Sequence, residues 1–184
     1  MKNTIALYNY DKAGQNIPVV IMKNIDFKEM NNTKSKLKAP VIIFTEDDIK
    51  NGGDVFAGEF FHIKNHTTLI EGEDVLEKIK ISLPHLRIHI EYELRKLLIN
   101  IREKYISKID HNEMMGEVKA QMLYIIEGMI GLKKKNIDIS TIENIKTHTE
   151  IYKTNLSILN NTTTPNIDDV YTLLLDLTKK VDNL

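Results

Sequence analysis

The 184-residue chain has no cysteine, which excludes a disulfide framework, a Cys-ligated zinc site and a thiol nucleophile. An excess of one charge is missing as well: 25 Lys and Arg stand against 26 Asp and Glu. The chain therefore has no net positive field of the kind that drives binding to a phosphate backbone. No stretch approaches the ~18 consecutive apolar residues of a membrane span. The segment Met1-Lys2-Asn3-Thr4-Ile5 lacks the apolar centre of a secretory signal, so the expected compartment is the cytoplasm. In that setting the glycosylation-type triplets at Asn31, Asn65 and Asn155 are chance matches. No GxGxxG, P-loop, HExxH or GxSxG pattern occurs.

What is present is an ordinary globular composition, 42% hydrophobic and 28% charged, with enough length for one good core or two modest ones. The first ~80 residues read as short strands between turns. Ile5-Ala6-Leu7-Tyr8 and the β-branched run Ile17 to Met22 are strands, the second with the apolar continuity of a central one. Asp26 to Asn31 is expected to be a short helix. Ala39 to Phe44 is a third strand with Pro40 at its start, where no ladder donor is needed. Thr45 and Asp48 form a helix N-cap pair, and Asn51-Gly52-Gly53 ends the helix they open. Glu59-Phe60-Phe61-His62-Ile63 reads as a fourth strand. Strands alternating with short helices predict an α/β layer on a small mixed sheet.

The second half carries helical punctuation instead. Pro84 in a first turn opens a helix through about Ser107. Asp110 with Glu113 opens one that ends at Lys133-Lys134-Lys135, a solvated, positively charged helix end. Ser140 with Glu143 opens a third, to about Asn160, and Thr164-Pro165 precedes the last. Ile142, Ile145, Tyr152, Leu156 and Leu159 form one apolar stripe; Val170, Leu174, Leu177 and Val181 form another. In the first of these helices Leu86, Ile88, Ile90, Leu94, Leu97, Leu98, Ile99 and Ile101 cover most of the circumference, as in a helix contacted from several sides. Short connections predict antiparallel neighbours.

Three stretches carry a family likeness. One is Asp54 to Lys64, followed by Leu69-Ile70-Glu71-Gly72-Glu73-Asp74-Val75-Leu76. Another is His85-Leu86-Arg87 with Glu91, Glu93-Leu94-Arg95 and Ile101-Arg102. The third is Leu7-Tyr8-Asn9-Tyr10 leading through Gly14 to the strand from Ile17. Together they resemble the nucleotidyltransferase-fold family, of the DNA polymerase beta-like or minimal nucleotidyltransferase kind, with a C-terminal helical domain. The resemblance implies an α+β chain: a small mixed-sheet nucleotidyltransferase-like α/β domain over residues 1–80, then a four-helix up-down bundle over residues 81–184.

In the active members of such a family, a Gly-Ser turn meets the nucleotide phosphates with its backbone. Acidic residues on the following strand and on a later one hold the divalent metals. Here Asn9-Tyr10 stands for Gly-Ser, Gln15-Asn16-Ile17-Pro18 stands for the acidic pair, and His62 falls on a further Asp. An amide, a proline and an imidazole do not hold hard Mg²⁺, and Pro18 also removes a strand donor. The motif is degenerate, so metal-dependent nucleotidyl transfer is not expected, and neither is a cofactor.

The residues left in the cleft that the family would have are Asn9, Tyr10, Asn16, Glu59, His62, Glu91 and Arg95. Arg87, Glu91 and Arg95 repeat at helical spacing. They read either as a ladder of exposed ion pairs at ~0.3–0.5 kcal/mol each or as a lining of that cleft. His85 and His89, four apart, have a metal-compatible spacing without an evident third ligand, with His62 and His66 as residues that only the fold would bring near. The functional expectation is an inactive nucleotidyltransferase-like protein acting as a binding or regulatory module, with a protein or a second copy as partner. The alternatives are an enzyme of other chemistry built on Glu59, His62 and Glu91, and one half of a toxin–antitoxin-type pair. Neither membrane nor nucleic acid is an expected partner, and nucleotide binding is left open.

Overall fold

The computed structural model describes residues 3–12, 15–36, 40–134, 140–159 and 165–184. Gly14, Ala39, Lys135, Asn160 and Thr164, on which expectations above touch, lie outside these. The chain divides into two compact units, Met1–Ser82 and Leu83–Leu184. The described residues are mixed α+β, with four strands in one mixed sheet and seven α-helices.

In the first unit, β1 (Thr4–Lys12) and β2 (Gln15–Met22) form an antiparallel hairpin. Helix α1 (Phe27–Lys36) follows and leads to β3 (Ile42–Thr45), which runs parallel to β2. Two helices, α2 (Glu46–Asn51) and α3 (Ala57–His66), precede β4 (Thr67–Gly72), which pairs antiparallel with the other edge of β1. The strand order is β3-β2-β1-β4. Central β2 is completely buried from Val19 to Met22, as its unbroken β-branched run requires. Pro18 sits just before the β3 ladder, whose first pair is Val19 with Ile42, so its missing N–H costs that ladder nothing.

The strand period of two sorts β1 cleanly. Ala6, Tyr8 and Tyr10 join Ile17, Val19 and Ile21 in a core closed by Ile49, Phe60, Ile63, Leu76 and Ile79. Each large apolar side chain buried this way contributes about 1.5–3 kcal/mol. The Thr45–Asp48 pair is a full capping box: Asp48 N–H donates to Thr45 Oγ1 at 3.1 Å and Thr45 N–H to Asp48 Oδ2 at 2.7 Å. Gly72 ends β4 at φ +96°, where a Cβ would lie 2.1 Å from the Ile5 carbonyl oxygen. Only glycine fits that approach.

One sequence expectation fails here. Glu59–Ile63 is not a strand but the middle of α3. Ala57, Phe60 and Ile63 are buried at a spacing of three, and Phe60 meets Phe44 and Phe56 edge-on at 5.3 and 5.9 Å between ring centroids. That packing decides in favour of a helix for an aromatic run whose local pattern suits either form. The fourth strand is instead the next segment, β4.

In the second unit, α4 (Leu83–Ile106) and α5 (His111–Lys133) are antiparallel neighbours. Lys104 pairs with Glu117 near one end. Ile90 faces Gly128 near the other, so closely that a Cβ on Gly128 would fall 2.0 Å from Ile90 Cδ1. Asp110 caps α5 by accepting from the N–H groups of Asn112 and Glu113 at 3.0 Å each. Helix α6 (Thr141–Tyr152) packs on α5 and helix α7 (Ile167–Asp182) on α4. The α7 stripe is buried as expected at Val170, Leu174, Leu177 and Val181.

Three details of the helical expectation need correcting. Ile88 and Ile99 of α4 are exposed, so its apolar circumference is not covered all round. Ile142 is exposed too and lies outside the apolar stripe of its helix. Helix α6 ends at Tyr152 rather than near Asn160, because Lys153 turns left-handed (φ 53°, ψ 40°). Polar side chains then take over the backbone. Thr154 Oγ1 donates to Asp176 Oδ2 at 3.2 Å, and Asn155 Oδ1 accepts from Ser157 N–H at 2.9 Å. Such side-chain bonds compete with helix propagation, and a 3-10 turn, Ser157–Leu159, follows.

Candidate functional site

The residues standing at the Gly-Ser position are not in a turn. Asn9 lies in mid-ladder between Pro18 of β2 and Thr68 of β4, and Tyr10 between Ile17 and Thr67. Flanked by strands on both sides, this backbone is held in ladders and does not form a phosphate-cradling loop. Alternation then sends the two side chains to opposite faces of the sheet. Asn9 Nδ2 donates to Asn16 Oδ1 at 3.0 Å. Tyr10 is 4% exposed within the core, its ring edge-on to His62 with centroids 5.8 Å apart and planes at 89°.

His62 is a helix residue of α3 rather than a strand residue, and it faces His66 one turn on, with ring centroids 4.3 Å apart. Both are half-buried. Glu59 is exposed in the first turn of α3, where a carboxylate complements the helix dipole.

Glu91 and Arg95 belong to the other unit, on α4. Arg95 Nε donates to Glu91 Oε1 at 3.0 Å, and its Nη2 to Asp182 Oδ1 at 2.9 Å. Arg87 Nη1 lies 3.5 Å from Glu91 Oε2 and donates to the Val181 carbonyl at 3.1 Å. The Arg87–Glu91–Arg95 repeat is thus an ion-pair ladder that ties the end of α7 to α4. His85 is exposed, whereas His89 Nε2 lies 3.0 Å from the Tyr124 hydroxyl of α5.

The sheet unit contains a polar centre that the sequence does not advertise. The Tyr8 hydroxyl accepts from Val75 N–H at 2.8 Å and Leu76 N–H at 3.2 Å, and donates toward Asp74 Oδ1 at 3.0 Å. Burial, the largest effect, raises its pKa above 10.0, with Asp74 adding to the shift. Lys64 Nζ donates to the Glu77 carbonyl at 2.7 Å. Together with Thr67, Leu69 and Leu76, these side chains line a cavity of about 130 Å³.

In the helical unit His148 is fully buried, its ring stacked on Tyr152 at 4.6 Å. Burial, with Lys180 adding a smaller effect, lowers its pKa to about 4. Among the described residues its Nδ1 and the Asn144 Oδ1 are buried without a hydrogen-bond partner. His148 is in register with Ile145 and Tyr152 of the α6 stripe, which is the signal by which the sequence shows it facing inward.

Comparison with protein-family models, with curated proteins and with solved structures finds no match. Among the described residues no helix is long and apolar enough to cross a membrane.

Proposed function

We propose that the chain is a catalytically inactive protein of nucleotidyltransferase-like design, with an up-down arrangement of its four C-terminal helices, and that it works as a binding or regulatory module. The observation that carries the reading is the state of Asn9 and Tyr10. Their backbone is held in ladders on both sides, and their side chains diverge to Asn16 and to the core beneath His62. A triphosphate site needs free backbone donors and converging carboxylates at that place, and neither requirement is met by these residues.

A partner is part of the proposal. Ile88, Tyr92 and Ile99 leave apolar surface exposed along α4, with Tyr105 and Ile106 exposed at its end. Exposed apolar groups on a long helix favour a protein or a second copy over a polyanion. A cytoplasmic setting belongs to the same reading and rests on the cysteine-free composition. Calorimetric titration with nucleoside triphosphates and Mg²⁺ tests the loss of catalysis: no saturable heat is expected, and Mg²⁺-dependent binding with turnover overturns it. Light scattering at increasing protein concentration, together with co-purification, tests the partner.

A further inference from the structure

We propose that α3 carries a binding site for a late first-row divalent cation, with His62 and His66 as its protein ligands. This goes beyond the function proposed above, which needs no metal. The two residues are four apart and so lie on one face of the helix, one turn above the other. Their ring centroids are 4.3 Å apart and the ring planes are inclined by 39°. A ring nitrogen of one lies within 4.8 Å of a ring nitrogen of the other. Imidazole nitrogens sit ~2.0–2.1 Å from such an ion, so a shared tetrahedral ion needs them ~3.3 Å apart. Small rotations about the side-chain bonds close that difference.

Position and chemistry agree on the class of ion. The Tyr10 ring, itself buried, packs edge-on against His62 and limits its rotation, so part of the ordering cost is met before the ion arrives. Both imidazoles are only half-buried, which leaves an entry path and open positions for water or a small exogenous donor. Glu59, three residues before His62 on the same side of α3, places a carboxylate one turn away. Two neutral nitrogen donors select Zn²⁺, Ni²⁺ or Cu²⁺ over the oxygen-seeking Mg²⁺ and Ca²⁺. The cation class is thus the opposite of the one a nucleotidyltransferase holds.

The test is isothermal titration of the full chain with ZnCl₂, repeated with MgCl₂. One Zn²⁺ site is expected, with no Mg²⁺ site. Affinity should fall by more than the ~10–100-fold that losing an outer partner of a ligand costs in His66→Gln and in His62→Ala, and should be unchanged in His85→Ala. Because His62 contacts the core through Tyr10, His66→Gln is the deciding variant. Its circular dichroism and metal-free melting curve should match those of the parent. Absence of a Zn²⁺ site in the parent chain, or Zn²⁺ affinity retained in a folded His66→Gln protein, overturns the proposal.

Discussion

Asn9 Nδ2 donates to Asn16 Oδ1 across the β1–β2 hairpin at 3.0 Å, so the two side-chain amides satisfy each other. Placing carboxylates beside them should not create a nucleotide site. The double substitution Asn16→Asp and Pro18→Asp is expected to leave a titration with ATP and Mg²⁺ flat, because the backbone at Asn9 and Tyr10 is still held between β2 and β4. Saturable Mg²⁺-dependent heat from that variant would contradict this.

Tyr8→Phe is expected to lower stability by about 1–3 kcal/mol, since it strands the Val75 and Leu76 N–H groups that now donate to the hydroxyl. Urea unfolding followed by circular dichroism measures the loss. The same hydroxyl sets an alkaline limit. Its pKa is raised in the folded chain, so the unfolded state releases its proton first. The stabilisation is intact below pH 10 and declines as pH climbs past that value. In Tyr8→Phe this part of the decline should be absent.

His148 sets the opposite limit. Its pKa falls from 6.5 to about 4 on folding, mainly through burial, with Lys180 lowering it further and Asp176 opposing. The unfolded chain therefore takes up a proton that the folded chain refuses, and stability drops as pH falls from 6.5 toward 4. At one pKa unit per 1.36 kcal/mol the loss is roughly 3 kcal/mol at most. His148→Leu should flatten the denaturation midpoint across that window. An equally steep profile in the variant would show that another group is responsible.

Lys153→Gly should raise stability by about 0.5–1 kcal/mol, because a left-handed conformation strains any side chain and glycine adopts it freely. The Lys153 side chain is exposed, so little packing is lost. The measurement is a thermal melt, with a gain of a few degrees expected.

Several elements are plain in the sequence because their signals are local. The apolar run of β2, the Thr45–Asp48 box, the Asp110 cap and the α7 stripe each need only a few neighbouring residues. Glu59–Ile63 is misread because its character is fixed by Phe44, fifteen residues before Glu59, and by Phe56. Four strand-forming residues directly after a helix, with no turn between them, hide β4.

The grouping of the candidate residues was not legible in the sequence. Glu59 and His62 belong to one unit and Glu91 to the other, so spacing along the chain does not group them. The Tyr8 centre depends on partners 66 to 68 positions away, beyond the reach of any local pattern.

The late arrival of β4 also has a consequence during synthesis on the ribosome. The β1–β2 hairpin is complete as soon as Met22 has emerged, but the outer border of β1 stays bare until Thr67–Gly72 follows. A lone hairpin is marginal in water, and an open strand border invites pairing with other chains. For the ~50 residues of translation between the two events, that unpaired border is the part of the nascent chain most open to pairing with another chain.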